Sequence, residues 1–110
     1  MRRGTTVWLS LTVEAIDLRD DWVEVALSQR GKKLIVLDDD ALEKELEGED
    51  TVLTARLSQE DTLSLSAGEK CQVQVRFITR EGEAGASVIE TLPVWDILRE
   101  GVIGYGKQET

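Results

Sequence analysis

The chain has 110 residues, 41% of them apolar and 32% charged, which is enough for one globular domain with its own core. Its net charge of −9 has the wrong sign for nucleic acid or for an anionic membrane surface, since both attract basic proteins. The sequence has no histidine and one cysteine, which excludes an intrachain disulfide, a thiolate zinc site and histidine-based catalysis.

The segment VWLSLTV, residues 7–13, places four aliphatic residues on one face and predicts a half-buried strand. Polar residues interrupt this run, Glu14 follows it at once and no small-residue cleavage site comes after it, so it is not interpreted as a signal peptide. Residues 14–21 are polar and predict a loop or one helical turn. Alternating valine and leucine in 23–27, the turn sequence QRGK and the apolar run KLIVLD then predict a β-hairpin.

Residues 38–50, DDDALEKELEGED, contain eight acids and one base, so most of the negative charge is local. An aspartate cap, Leu42 and Leu46 four residues apart and then Gly48 are consistent with a short helix. A loop with a short strand at KEL fits the same residues, and the pattern does not separate the two. The D-x-D-x-D-G pattern of calcium loops is absent, which favours a solvated acidic surface over a metal site.

Residues 51–58 predict another strand, and the polar stretch after it predicts a turn. Ser58 and Asp61 have the spacing of a helix capping box, which would deliver Leu63 and Leu65 to the core. Ser66 and Lys70 form the one formal nucleophile–base pair in this stretch, but the turn interpretation is favoured. Paired carboxylates could hydrolyse glycosides, yet so small a domain offers little room for a deep cleft. The sequence therefore predicts no enzyme and no cofactor.

The segment CQVQVRFI has the most regular alternation of the chain, with Cys71, Val73, Val75 and Phe77 predicted to face inward. Cys71 is accordingly interpreted as a small core residue and not as a reactive thiol. The glycine-containing sequence REGEAG predicts a hairpin loop, and ASVIETLPV is the predicted partner strand. Pro93 marks its end because proline cannot donate to a strand ladder. About seven short strands and one or two helical turns predict an all-β, immunoglobulin-like antiparallel sandwich.

The sandwich is predicted to span residues 1–94, followed by an apolar, glycine-containing tail at 95–110. This tail either folds onto its own core or forms an arm that docks on a neighbouring subunit, and exposed aromatic and aliphatic clusters are typical of interfaces. The candidate partner-binding residues are Trp95, Ile97, Leu98, Val102, Ile103 and Tyr105.

Three short motifs in a fixed order carry a family resemblance: Arg3–Thr6 at the start, Leu57–Thr62 at the turn and Val73–Arg76 in the next strand. With the hairpin core VALSQRGKKLIVL and the segment GEAGASVIETLPV, they resemble a family of small proteins encoded in prophages of Gram-positive bacteria. The resemblance covers roughly residues 1–95. Serine replaces the usual threonine at position 58, the acidic stretch is longer than in the family, and the tail matches no family pattern.

The resemblance implies an immunoglobulin-type sandwich encoded among virion structural genes, with no catalytic residue to carry over. It predicts a structural or accessory protein of a phage tail or baseplate that acts through protein contacts, with homo-oligomerisation possible. Such a protein would reside in the bacterial cytoplasm during assembly and then in the virion. The alternative is a free acidic module that inhibits a host or defence factor by imitating nucleic-acid charge. That alternative would use an acidic surface made of Asp38, Asp39, Asp40, Glu43, Glu45 and Glu47.

Overall fold

A computed structural model describes residues 1–87 and 89–106, and for Lys33 and Leu34 it describes the backbone alone. The predicted all-β sandwich is confirmed, with eight strands in the described part of the chain and every strand pair antiparallel. The strands are β1 (Val7–Val13), β2 (Trp22–Gln29), β3 (Lys32–Leu37), β4 (Leu42–Glu47), β5 (Asp50–Leu57), β6 (Cys71–Ile78), β7 (Ala84–Ala86) and β8 (Glu90–Leu92).

Two sheets form the sandwich. The smaller sheet has the order β1-β5-β4, and the larger has the order β3-β2-β6-β7, with β8 also paired to β6. The inward residues of the central strands β2, β5 and β6 are nearly inaccessible to solvent because the period of two places every second side chain between the sheets. These core residues are Val23, Val25, Leu27, Leu53, Ala55, Leu57, Cys71, Val73 and Val75.

The partner strand predicted for ASVIETLPV is divided in two. β7 pairs with the end of β6 and β8 pairs with its beginning, while Val88 lies outside the described residues. β8 ends at Leu92, immediately before Pro93, as the sequence predicts. A hairpin loop lies between β6 and β7 as predicted, but it spans 79–83, and Ala84 and Gly85 of the predicted loop REGEAG belong to β7.

The acidic stretch forms a strand, so the helix alternative for residues 38–50 is wrong. A 3-10 turn at Asp39–Ala41 leads into β4, and Gly48 closes the hairpin to β5 with a positive φ of 63°. Leu42 and Leu46 face the core from β4, where they pair with Ala55 and Thr51. A helix here would have placed glutamates four residues apart on one surface, where like charges repel, whereas the strand spreads them along an exposed face.

The predicted capping box is confirmed at the turn after β5. The Ser58 hydroxyl accepts from the Asp61 amide at 3.1 Å, and the Asp61 carboxylate accepts from the Ser58 amide at 3.0 Å. Together they begin α1 (Gln59–Leu63), a helix of five residues. Leu65 is then buried as predicted, while Leu63 is half-buried.

Candidate interaction surfaces

Ser66, Lys70 and Cys71 were the residues considered for chemistry in and after the polar turn, and the structure does not place them in a reactive arrangement. Ser66 and Lys70 are both exposed, and the Ser66 amide donates to the Gln29 side chain at 2.8 Å, which is a structural contact. Cys71 is fully buried, and burial raises the pKa of its thiol, which disfavours the reactive thiolate. Within the described residues, no group of three or more cysteine, aspartate or glutamate side chains could hold a metal ion, and no helix is long and apolar enough to cross a membrane.

The six residues of the acidic surface have different roles. Asp39 is half-buried, and its Oδ1 accepts from Lys44 Nζ at 2.8 Å and from the Val23 amide at 3.0 Å, so it joins β4 to β2. Asp38 and Asp40 are exposed beside it. The three glutamates of β4 all point outward from the smaller sheet. The acidic-surface hypothesis therefore rests on these glutamates and stays a prediction.

Arg3 attaches the beginning of the tail to the sandwich. Its Nε and Nη2 donate to the carbonyls of Leu65 and Leu63 at 2.6 and 2.8 Å. Nη1 donates to Asp96 Oδ1 at 2.8 Å, and both terminal nitrogens reach the Glu100 carboxylate at 3.0 and 2.8 Å. All five N–H donors of the guanidinium are therefore used, in a side chain that is only 12% exposed.

These contacts shift the acidity of all three groups. The two carboxylates raise the pKa of Arg3. The Ile97 amide, followed by Arg3, lowers the pKa of Asp96, and the hydrogen bonds from Arg3 lower the pKa of Glu100. The cluster is therefore fully ionised at neutral pH.

Two further sets of contacts fix the tail. Trp95 makes backbone hydrogen bonds to Met1 and Arg3: its amide donates to the Met1 carbonyl at 2.8 Å, and its carbonyl accepts from the Arg3 amide at 2.9 Å. Arg2 lies over the Trp95 ring at 5.9 Å. Farther along, Gln59 of α1 makes two hydrogen bonds to the backbone of Ile103. The tail backbone is thus bound to the sandwich at both ends of its described part.

The side chains of the tail divide into two groups. Ile97 and Val102 are half-buried, and Ile97 packs against Gly4, where a Cβ would lie 2.7 Å from Ile97 Cδ1. The other four candidate residues are exposed large hydrophobics: Trp95, Leu98, Ile103 and Tyr105. We call residues 95–110, described as far as 106, the C-terminal arm. In its described part the backbone is anchored, as the folded-tail alternative expects, and four apolar side chains face solvent, as the docking alternative expects.

Trp22 is a further exposed aromatic residue, and the sequence pattern did not mark it as a candidate. Trp22 opens β2 and is 50% exposed, between two shallow depressions of about 250 and 310 Å³. Glu24 and Arg76 line the first, directly opposite one another on β2 and β6. Arg19 and Arg80 line the second. The alternation of β2 indicated that Trp22 faces outward, but only the fold brings the charged groups of two loops beside it.

Comparisons with known proteins identify the fold and no family. No protein-family model and no curated protein matches the chain. An uncharacterized protein of Listeria monocytogenes EGD-e is similar in structure, with a TM-score of 0.56 at 20% identity over 84% of this chain. The same protein in complex with glucose, magnesium and calcium gives the same values. The cycloalternan-forming enzyme of Listeria monocytogenes, in complex with a pentasaccharide substrate, gives a TM-score of 0.55 at 20% identity. The chain spans 8% of the length of each of these proteins.

Proposed function

We propose that the protein is a non-enzymatic binding module that attaches to a protein partner through its C-terminal arm. The setting we propose is the tail or baseplate of a phage or prophage particle, which is what the family resemblance implies. The observation that carries the proposal is the arm itself: a backbone fixed by Arg3 and Gln59 that presents four apolar side chains to solvent.

The physical reason is that binding loses less entropy when the contact residues are already positioned. Ordering a flexible segment at an interface costs about 0.5–1.5 kcal/mol for each immobilised side chain in addition to the backbone cost. Here the backbone cost is met within the folded chain by the Arg3 cluster and the two Gln59 hydrogen bonds. Aromatic and aliphatic side chains held on such a backbone are typical anchors of protein interfaces.

The test is incorporation into particles. Particles purified from an induced lysogenic host that expresses the protein are examined by mass spectrometry. A variant with Leu98, Ile103 and Tyr105 replaced by serine should be lost from the particles. The matched control replaces Val36 and Ile89, two exposed aliphatic residues of the sandwich, and should be incorporated normally. Absence of the unaltered protein from particles, or equal incorporation of both variants, would contradict the proposal.

A second candidate function, glycan binding, is favoured by the surface around Trp22. An exposed indole ring flanked by carboxylates and guanidinium groups can stack on the apolar face of a sugar and hydrogen-bond its hydroxyls. The structural neighbours supply a reason to test it, since one is an enzyme in complex with a pentasaccharide. Calorimetry with a glucose pentasaccharide should then show binding that Trp22→Ala abolishes and Trp8→Ala preserves. If the unaltered protein shows no heat of binding, this glycan is ruled out as its ligand.

A further inference from the structure

Among the described residues, three of the four sheet edges carry features that prevent pairing with another strand. β4 has three outward glutamates, and Lys44 lies on its inward face opposite Leu53, with its Nζ donating to Asp39. β3 begins with the exposed Lys32 and has a register shift in its pairing with β2. β7 and β8 have three residues each, and Glu90 lies opposite the inward-facing Val73. Short edges, bulges and inward charges are the known means of blocking edge-to-edge association.

The fourth edge, β1, has none of these features. Its seven residues include no charge, no proline and no glycine, and its register with β5 is continuous. Its inward residues are only half-buried, and two of them, Leu9 and Leu11, line an open groove of about 340 Å³ between the two sheets, whose lining also includes Glu90. Leu9 and Leu11 form one wall of this groove, and Val75 and Leu92 lie across from them. Trp8 on the outer face is 61% exposed.

The sequence of β1 is self-complementary when reversed. Reading VWLSLTV from either end gives valine first, then an outward residue, then leucine, with Ser10 in the middle. We infer that β1 pairs antiparallel with β1 of a second copy of this chain about a two-fold axis through Ser10. Leucines 9 and 11 would then lie opposite each other in both copies, as would valines 7 and 13. A two-fold interface requires this self-complementarity, because the same surface serves both partners.

The charges near β1 fit the same arrangement. Arg56 of β5 lies over the Trp8 ring at 6.0 Å, at one end of the strand. Glu14 follows the other end and is exposed. In the antiparallel pair, Trp8 faces Thr12 of the second copy, and Glu14 of that copy is its diagonal neighbour, about 7–8 Å away and within reach of long side chains. Two Arg56–Glu14 pairs would therefore form, one at each end, despite the net charge of −9 on each chain.

One seven-residue strand pair forms a small interface, so the dimer should dissociate in the micromolar range, about as for other small interfaces. The inference does not depend on the proposed function. Pairing through β1 would join the smaller sheets of the two copies into a single sheet of six strands. Leu9 and Leu11, which line the groove in each copy, would then lie opposite Leu11 and Leu9 of the other copy.

Ser10→Cys tests the register directly. Position 10 would face itself across the axis, where directly opposite Cα atoms of antiparallel strands lie about 4.5–5.5 Å apart, a distance that a disulfide spans. Mild oxidation should therefore give a disulfide-linked dimer, and buried Cys71 should not compete. The control is Thr12→Cys, on the same strand and face, because its two copies would be about 14 Å apart and should not cross-link. Equal cross-linking of both variants, or none at position 10, overturns the inference.

Charge reversal gives a second, independent test by sedimentation of the full chain. Arg56→Glu and Glu14→Arg should each weaken dimerisation about tenfold, since like charges would then meet at both ends of the strand pair. The double variant restores both pairs and should recover the original affinity. Additive weakening in the double variant overturns the arrangement. Cross-linking of Ser10→Cys to another protein in purified particles, with no dimer in solution, would assign the edge to a foreign strand and also overturn it.

Discussion

Gln59 binds the backbone of Ile103 through both polar atoms of its side-chain amide. Nε2 donates to the Ile103 carbonyl at 3.1 Å, and Oε1 accepts from the Ile103 amide at 3.0 Å. The two residues are 44 positions apart in the chain, so α1 fixes the C-terminal arm at Ile103, near the end of its described part. This relationship explains how a segment rich in exposed apolar residues keeps a defined backbone.

Gln59→Glu should release this end of the arm. The carboxylate can still accept from the Ile103 amide, but it cannot donate to the carbonyl and would repel it. Losing one hydrogen bond and leaving two acceptors face to face should cost about 1–2 kcal/mol locally. Amide hydrogen exchange in residues 101–106 should therefore accelerate about tenfold. Gln72→Glu, an exposed position on β6, is the matched control and should leave this exchange rate as it is. Similar exchange in both variants would mean that Gln59 does not hold the arm.

The attachment of the arm at Arg3 should weaken in acid. The pKa values of Asp96 and Glu100 are both lower in the folded protein than their ordinary values of 3.8 and 4.5. A carboxyl group of this kind stabilises the fold above its unfolded pKa, and its contribution is lost as the pH falls through the folded pKa. The amide signals of Gly101 and Gly104 should thus stay constant from about pH 7 to about pH 5 and shift below about pH 4.

The pH response has two controls. Arg3→Gln removes the cation and should reduce the dependence to the part that the hydrogen bond from the Ile97 amide to Asp96 supplies, with the arm loosened at every pH. Asp17→Asn removes a carboxyl whose pKa is lowered to about 2 by Arg19, at a site away from the arm, and should leave the glycine signals unaffected. A transition in the arm that keeps its full size in Arg3→Gln would show that Arg3 does not cause it.

The sandwich was predictable because most of its signals are local. The alternation of β2, β5 and β6 places the core residues correctly, and the Ser58–Asp61 capping box begins a helix where its spacing indicates. The choice between helix and strand for residues 38–50 was ambiguous, because Leu42 and Leu46 are four residues apart and would share a face in either structure. The pairing of Leu42 with Ala55 on β5 favours the strand, and the local pattern of residues 38–50 contains no information about this contact.

The arm and its anchors could not be predicted from pattern. Arg2 and Arg3 are two adjacent bases near the start of the chain, and nothing local indicates that Arg3 meets Glu100, 97 positions later. The exposure of Ile103, and the partial burial of Val102 beside it, likewise depend on where Gln59 lies. Core strands can be recognised from the alternation of apolar and polar residues, whereas long-range polar contacts leave no periodic pattern in the sequence.

Gly85 should be intolerant of a side chain because Phe77 covers it. The two residues are directly opposite on β7 and β6, and a Cβ at position 85 would overlap the Phe77 ring. Gly85→Ala should therefore destabilise the fold by about 1–3 kcal/mol through overpacking, measured by urea denaturation. Gly104→Ala is the control, since a Cβ there meets nothing within 4 Å and no positive φ is involved. A neutral Gly85→Ala would show that the edge strand moves freely away from the ring.

Thr51 of β5 should be the most sensitive hydroxyl in the core. It is fully buried, its Oγ1 donates to the Ile16 carbonyl at 2.7 Å, and it accepts from the Leu18 amide at 2.9 Å. Thr51→Val keeps the shape but leaves both backbone groups without this partner, which should cost about 2 kcal/mol. Thr54→Val, on the outward face of the same strand, should change stability by less than about 0.5 kcal/mol. This hydroxyl joins the loop before β2 to the smaller sheet. The urea midpoint should therefore fall for Thr51→Val alone, while the dependence of the unfolding free energy on urea concentration stays unchanged.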